Sequence, residues 1–349
     1  MDSSKRINYI GNLRIFACIG VILCHVAANN WYGNIEENSW LVMTTYVALS
    51  KFCVPAFIMI SGVLFLQNDK EVSVKKLYLH NILRLVIFLV FWSECYQVYN
   101  LVVYENESYI KAIVRGFINI LQGNTQAHFW YIYLIIGLYM IVPIVKPWIN
   151  QLNRRQIEYF LLLFLIFNSM YCIVSGMDYW ICSLISEFCG KLSINIVGGF
   201  LGYFVLGYYL NTYDITPVVR KVLYCVGGIA VILCIMCTVI YSRHIGIPVE
   251  LFWNYCGIFV VLWSTSVFVF FKYNLNRVLG NWWNKIEDCT FGIYACHVFF
   301  MSELWRRGID IYIFGCVISI PVIVIMTFAC SLVFVYFIRK IPLAKKWIV

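Results

Sequence analysis

Long apolar runs separated by short polar loops make up most of the chain. The runs are continuous rather than alternating, and most reach the roughly 20 residues that a helix needs to cross a bilayer. Strands of a membrane barrel would instead alternate apolar and polar positions. The pattern predicts an all-α, polytopic transmembrane helix bundle of about ten spans. The predicted spans are 8–28, 40–66, 77–103, 128–148, 157–174, 193–210, 221–241, 251–271, 289–305 and 311–338.

Composition and charge agree with a membrane protein. The 349 residues are 62% hydrophobic and only 12% charged, whereas soluble domains carry about 25% charged residues. The net charge of +9 does not indicate nucleic-acid binding, because the basic residues lie mostly in short loops. Lysine and arginine are about threefold more frequent in the loops on the same side of the membrane as the N-terminus than in those on the other side. This asymmetry predicts that both termini are cytoplasmic.

The 15 cysteines fall mostly inside apolar runs, where a free thiol behaves as a small hydrophobic side chain. Cys234 and Cys237 have CxxC spacing but lack a second ligand pair, so no metal site is expected. Cys182 and Cys189 share a predicted outer loop and are candidates for a disulfide.

No long soluble segment interrupts the apolar runs, so residues 1–349 are predicted to form a single transmembrane domain without a fused soluble domain. The longest predicted outer segment is 104–127. Its middle, YIKAIVRGFINIL, has apolar residues at helical spacing, which predicts an amphipathic helix lying on the membrane surface.

The first span, IGNLRIFACIGVILCHVAA at 10–28, carries Arg14 and His25 within an apolar run. The two are 11 residues apart, almost three turns, so they share one face and lie roughly 16 Å apart along the axis. Ionisable groups at membrane depth are expensive and usually functional. His25 is a candidate general base, and Arg14 suits a phosphate or carboxylate. Headgroup snorkelling is the alternative for Arg14, and a histidine satisfied by a neighbouring helix is the alternative for His25.

Two further ionisable residues lie inside predicted spans. Lys51 precedes Pro55 in ALSKFCVPAFIMISG and is expected to face the bundle interior or a wet cavity, with an acid as its candidate partner. Glu94 in FWSECYQ is a candidate partner for Lys51 or His25. Glu94 could form a structural ion pair or act as a functional acid, and the sequence does not distinguish these two roles.

A basic cluster leads into the third span. Lys75 and Lys76 precede His80 and Arg84, which are four residues apart and predicted to share a helix face. Together they would form a cytoplasmic rim suited to a polyanionic nucleotide. An ordinary positive-inside loop explains the lysines equally well.

Aromatic and histidine side chains mark the start of the fourth span and the ninth span. His128, Trp130 and Tyr131 are interpreted either as an interfacial aromatic belt or as a surface that binds sugar rings. His297 in FGIYACHVFF is a further candidate for contact with the substrate.

Five segments, taken in order, resemble the acyltransferase-3 family of integral membrane acyltransferases, most closely its stand-alone O-acetyltransferases of surface glycans, such as those of the enterobacterial common antigen. The segments are NLRIFACIGVILCH, SKFCVPAFIMISG, HFWYIYLIIGLYMIVPI, GGFLGYFVLGYYL and FGIYACHVFF.

The resemblance implies a ten-helix bundle and assigns the family's first-span arginine and histidine to Arg14 and His25. Lys51 stands where arginine is commoner in the family. The second arginine of the family's cytoplasmic motif falls on Arg84, whereas the first is replaced by His80 or its neighbour. Gly11 occupies a position where the family often has aspartate.

The resemblance also implies a reaction. Acetyl-CoA would be the acyl donor, bound by Arg14 and the basic rim, and Lys51 would stabilise an oxyanion. The acceptor would be a glycan or lipid-linked sugar at a bacterial cytoplasmic membrane. Membrane lipids are expected partners, and a homodimer is a possible assembly. The alternatives are a transporter or flippase using His25, Glu94 and Lys51 as a relay, and a non-catalytic scaffold or sensor.

Overall fold

Helices form the regular structure of the protein in the computed structural model, which describes residues 7–67, 72–100, 108–192 and 198–349. No strand occurs within these ranges, which confirms the all-α prediction. The helices are α1 (Asn8–Ala28), α2 (Asn38–Ser50), α3 (Cys53–Leu66), α4 (Val74–Lys76), α5 (Leu83–Asn100), α6 (Tyr109–Gln122), α7 (Trp130–Gln151), α8 (Arg154–Phe164), α9 (Tyr171–Val174), α10 (Trp180–Leu192), α11 (Leu201–Thr212), α12 (Pro217–Ile245), α13 (Ile258–Asn274), α14 (Asn281–Arg306), α15 (Cys316–Ile338) and α16 (Pro342–Trp347).

Seven stretches in the described part of the chain are long and apolar enough to cross a bilayer, as expected of a multi-pass membrane protein. They are Asn8–Ala28, Asn38–Leu66, Tyr109–Gln151, Arg154–Val174, Pro217–Ile245, Leu251–Asn274 and Cys316–Ile338.

The other three predicted spans, 77–103, 193–210 and 289–305, overlap α5, α11 and α14. Residues 101–103 and 193–197 of these predictions lie outside the described residues. So do Lys5, Arg6 and Lys70, which contribute to the charge asymmetry. The count of ten spans and the cytoplasmic termini stay predictions.

Helix α1 lies in the centre of the bundle, in contact with α2, α3, α13, α14 and α15. A helix that is apolar on all sides is typically buried, and Leu13, Ala17, Ile22 and Val26 of α1 are fully buried. An ionisable residue on α1 therefore has most of its surroundings on neighbouring helices.

The second predicted span is broken into α2 and α3 at Lys51 and Phe52. Pro55 explains the break, because a proline ring clashes with the carbonyl of the residue four positions earlier, here Lys51, and offers no N–H to it. The break places the lysine side chain at a helix junction rather than on a regular helix face.

Helices α3 and α11 cross closely where each has a glycine. A side-chain Cβ at Gly62 would overlap the backbone of Phe204, and a Cβ at Gly207 would overlap the backbone of Met59. Small residues at such crossings allow backbone approach, which is a principal source of helix association in membranes.

Helix α10 contradicts the predicted disulfide. Cys182 and Cys189 are both free thiols and lie on this one helix. Seven residues of helix separate them by about 10 Å along the axis, whereas disulfide-bonded Cα atoms lie about 4.4–6.8 Å apart. The candidate disulfide between Cys182 and Cys189 does not form, because the segment predicted as a loop is helical.

The amphipathic helix predicted within the outer segment 104–127 is α6. Residues 104–107 of that predicted segment lie outside the described residues. Ile110 and Leu121 are highly exposed, whereas Ala112 and Gly116 are buried on the helix that packs against α5. The helical part of the prediction is confirmed, and its position relative to a membrane stays a prediction.

Replacing Gly207 with alanine tests the close crossing of α3 and α11. We expect Gly207→Ala to lower the free energy of unfolding by about 1–3 kcal/mol, because the added methyl group must displace backbone. Thermal unfolding of the detergent-solubilised chain, followed by tryptophan fluorescence, measures the change. Gly228→Ala is the control, because Gly228 of α12 has open space beside it and alanine is the better helix former. Equal midpoints for the two variants would contradict the close crossing.

Candidate functional site

Three histidines that are distant in sequence meet in the bundle and form what we call the histidine cluster. His25 lies in the last turn of α1, His128 in a short 3-10 turn before α7, and His297 in the middle of α14. The ring centroids are 5.2 Å apart for His25 and His297, 6.1 Å for His25 and His128, and 5.0 Å for His128 and His297. His25 therefore faces the bundle interior.

Backbone carbonyls orient two rings of the histidine cluster. His297 Nδ1 lies 2.8 Å from the Tyr294 carbonyl oxygen, and His128 Nε2 lies 3.4 Å from the Ala295 carbonyl oxygen. A carbonyl only accepts, so Nδ1 of His297 carries the proton and Nε2 keeps a free lone pair. That Nε2 is buried without a hydrogen-bond partner.

His25 has different surroundings from the other two rings. It is half-buried, whereas His128 and His297 are buried, and its ring nitrogens bond to no group within the described ranges. A neutral imidazole with both nitrogens free can accept a proton from a hydroxyl and pass it on. Of the three histidines, His25 is the least buried.

Lys51 lies beside the histidine cluster at the junction of α2 and α3. Its Nζ is 4.7 Å from the ring centroid of Tyr255 and 5.5 Å from that of Trp253, and its charge acts on the His25 ring. The part of the chain that the structure describes contains no ion pair to Lys51. Aromatic faces stabilise the ammonium by cation–π interaction in place of the acid that the sequence suggested.

Glu94 is not paired with Lys51 or His25. Both carboxylate oxygens are buried without a hydrogen-bond partner, and the side chain packs against Gly116 of α6, where a Cβ would overlap it. The predicted pairing does not form, because this face of α5 is turned toward α6.

Arg14 forms an ion pair that the sequence did not reveal. Its Nη1 lies 2.9 Å from Oε1 of Glu287 on α14, and the carboxylate is buried whereas the guanidinium is about one-third exposed. A Cβ at Gly11 would overlap this carboxylate, so glycine at this position leaves room for Glu287. In the sequence, Glu287 could have been recognised as a candidate partner because it is an acidic residue close to the predicted span 289–305.

The predicted basic rim divides into two groups. Lys75, Lys76 and His80 are exposed, whereas Arg84 is half-buried and donates a hydrogen bond from Nη2 to the Val349 backbone oxygen at 3.2 Å. A π-helical turn spans Leu77–Ile82 and contains His80, whereas Arg84 lies on α5. The shared face of His80 and Arg84 stays a prediction.

The aromatic candidates connect Lys51 to the histidine cluster. Trp130 lies 5.5 Å from Tyr255, the ring that also contacts Lys51. Tyr131 lies 5.9 Å from Tyr294, and Tyr294 lies 5.6 Å from His128. Among the described residues, no group of three or more histidine, cysteine, aspartate or glutamate side chains is arranged to hold a metal ion.

Comparison with known proteins gives one match. A family model described as an acyltransferase domain, that of acyltransferase family 3, matches residues 7–338. No curated protein and no solved structure matches the chain. The matched region includes both the histidine cluster and the ion pair of Arg14 with Glu287.

Removing the guanidinium from the buried ion pair tests its contribution to stability. We expect Arg14→Gln to lower the free energy of unfolding by about 1–3 kcal/mol, because the buried Glu287 carboxylate loses a charged hydrogen-bond donor. Chemical or thermal unfolding in detergent measures the change.

Lys191→Gln is the matched control, because Lys191 and Glu187 form an ion pair in which both side chains are exposed. Exposed pairs contribute about 0–1 kcal/mol. Equal effects of the two substitutions would show that burial of Glu287 gives the Arg14 pair no special weight.

Proposed function

The chain belongs to the acyltransferase-3 family, and on that premise we propose that it moves an acetyl group from cytoplasmic acetyl-CoA to a hydroxyl of a cell-surface or lipid-linked glycan. The proposal places it in a bacterial cytoplasmic membrane, with a role like that of the enterobacterial-common-antigen acetyltransferases. The observation that carries it is the half-buried His25 ring, with both nitrogens free, inside a helix bundle.

In the proposed reaction His25 acts as the general base. Its neutral imidazole takes the proton from the acceptor hydroxyl as the hydroxyl oxygen forms a bond to the thioester carbonyl carbon. The tetrahedral intermediate collapses with cleavage of the carbon–sulfur bond, and the imidazolium returns the proton to the departing CoA thiolate. The products are the acetyl ester and free CoA.

Lys51 is proposed to stabilise the oxyanion of that intermediate. An ammonium already held in the bundle needs little reorganisation when negative charge develops, and such preorganised charges are effective where water is excluded. The contacts to Tyr255 and Trp253 hold Lys51 without neutralising it, so its positive charge stays available for the oxyanion.

The donor would bind at the opposite end of α1. Arg14 uses Nη1 in its bond to Glu287, and a guanidinium has five N–H donors, so others stay free for a CoA phosphate. Arg84 faces the same region, because Arg14 and Arg84 both act electrostatically on Tyr139. The exposed Lys75, Lys76 and His80 would attract the polyanion by long-range charge.

The acceptor would approach from the side of the aromatic candidates. We propose that Trp130 and Tyr131 contact the sugar, with His128 and His297 forming the wall of the histidine cluster behind it. Trp130 is the most exposed of the four, so it would meet the acceptor first.

A proton-coupled transporter or flippase is the second candidate, favoured by the buried and unpartnered carboxylate of Glu94. Groups of this kind serve as proton carriers in membrane transport. Substrate accumulation in vesicles that contain no acyl-CoA would support transport, whereas acyl-CoA-dependent modification of a glycan would support the acetyltransferase.

Substitution of His25 tests the catalytic proposal. We expect His25→Ala to reduce acetyl transfer by at least about 100-fold, because the general base is lost, while the chain still elutes as a folded species in size-exclusion chromatography. Mass spectrometry of cell-envelope glycans, with and without the protein, detects the added acetyl group.

His244→Ala serves as the matched histidine control, because His244 is exposed at the end of α12. Transfer at the wild-type rate in His25→Ala would exclude the proposed mechanism. Loss of transfer in both variants would show that the effect is not specific to His25.

Substitution of Arg84 tests the donor site. We expect Arg84→Gln to raise the KM for acetyl-CoA by about 10-fold or more, with a smaller change in kcat, because a charged hydrogen bond to phosphate is lost. Steady-state release of free CoA measures both constants. Lys221→Gln, at an exposed lysine of α12, is the control, and an unchanged KM in Arg84→Gln would remove Arg84 from the donor site.

A further inference from the structure

A cavity of about 180 Å³ lies between α5, α6 and the segment that leads to His128. Helix α5 contributes Ser93, Gln97 and Asn100 to its wall. Their spacing of four and then three residues places them on one face of the helix. This face is a continuous stripe of neutral polar side chains in an otherwise apolar region.

The opposite wall of the cavity is equally polar and equally uncharged. It includes Asn119 of α6 and, after the end of that helix, Asn124 and Gln126. Asn119 Nδ2 donates to Gln97 Oε1 at 3.0 Å, which fixes the two walls relative to each other. No lysine, arginine or histidine lines this cavity in the described ranges.

Several polar atoms at the cavity have no protein partner. Ser93 is only 5% exposed, and its Oγ is buried without a hydrogen bond. Both carboxylate oxygens of Glu94 are also buried without a hydrogen bond. They lie against Gly116, which itself lines the cavity. Buried polar groups are normally paired, so a cluster of unpaired ones beside a cavity indicates a missing ligand.

The chemistry of the walls selects the ligand. Side-chain amides offer both donors and acceptors, and hydroxyls do the same. A sugar presents hydroxyl groups that donate and accept in matching numbers and carries no charge. A phosphate group would meet no cation here and would be repelled by Glu94.

We propose that this cavity, which we call the α5–α6 cavity, binds one sugar unit of the acceptor glycan; the inference rests on the proposed function. Its volume is below the roughly 300 Å³ at which sites for drug-sized ligands begin, as expected for a single ring. The sugar hydroxyls exchange hydrogen bonds with Ser93 and with the side-chain amides of the wall, and Glu94 lies behind Gly116.

The α5–α6 cavity is joined to the histidine cluster at two points. Tyr96, beside Gln97 on α5, lies 5.7 Å from the His128 ring. Gln126 accepts a hydrogen bond at its carbonyl from the Phe129 backbone N–H at 2.8 Å, in the turn that carries His128. Through these two contacts, the cavity and the histidine cluster are neighbours in the bundle.

A titration of the full chain with the methyl glycosides of glucose, galactose and N-acetylglucosamine tests the cavity. Saturation-transfer NMR, in a detergent without a sugar head group and without an acyl donor, reads sugar binding alone. We expect at least one glycoside to bind the wild-type chain. Ser93→Ala should raise its Kd about 10-fold.

Thr327→Val is the matched control. Thr327 of α15 is fully buried with an unpartnered hydroxyl but lies outside the cavity, so its loss should leave the Kd unchanged. Removing an unpartnered hydroxyl should not lower the midpoint of thermal unfolding in either Ser93→Ala or Thr327→Val. Loss of sugar binding without loss of stability therefore identifies contact with the ligand.

The outcomes separate this inference from the proposed function. If no glycoside binds, or if Ser93→Ala binds the glycoside as tightly as wild type, the cavity is not a sugar site. If the glycosides bind as expected but the wild-type chain makes no acetylated glycan, sugar binding at the cavity is supported and the acetyltransferase proposal fails.

Discussion

The burial of α1 among five other helices constrains every ionisable residue that it carries. In such a position neither Arg14 nor His25 can be hydrated freely, and an unpaired charge would be very costly. Both residues meet α14, where Glu287 receives the guanidinium and His297 lies against the imidazole. One helix pair thus accommodates both groups, at two depths of the bundle.

This pairing also determines how the two helices run. Arg14 precedes His25 on α1, and Glu287 precedes His297 on α14 at nearly the same interval. Contacts in that order require α1 and α14 to be parallel, with an odd number of crossings between them. The predicted spans between 8–28 and 289–305 are odd in number, so the side-chain contacts and the predicted topology lead to the same arrangement.

Local pattern was enough to predict the helices and the stripe of Arg14 and His25, because both depend on periodicity within one segment. It was not enough to find the partners. Glu287 is 273 residues from Arg14, and nothing in either segment encodes their contact. The convergence of His25, His128 and His297 was missed for the same reason, since each histidine was assessed within its own helix.

Errors of detail have local causes. The disulfide between Cys182 and Cys189 assumed a loop where α10 forms. The basic rim was predicted as one group, but Arg84 is half-buried and bonded to the Val349 backbone oxygen, whereas His80 is exposed. An acid was expected beside Lys51, and two aromatic rings fill that role. In each case the sequence allowed the assumed geometry, and tertiary packing selected another.

The polar groups of the bundle fall into two chemically different sets, and this difference gives a physical basis for substrate discrimination. Arg14 and Arg84 present positive charge at one end of α1, which favours a polyanionic donor and offers nothing special to a neutral sugar. The α5–α6 cavity is uncharged along its walls and lies beside the Glu94 carboxylate, which disfavours the same polyanion. Specificity depends on rejection as much as on attraction. An unpaired Glu94 is costly for stability, but under the proposed function it would disfavour an anionic donor beside the acceptor, and no hydrogen bond to the carboxylate forms among the described residues.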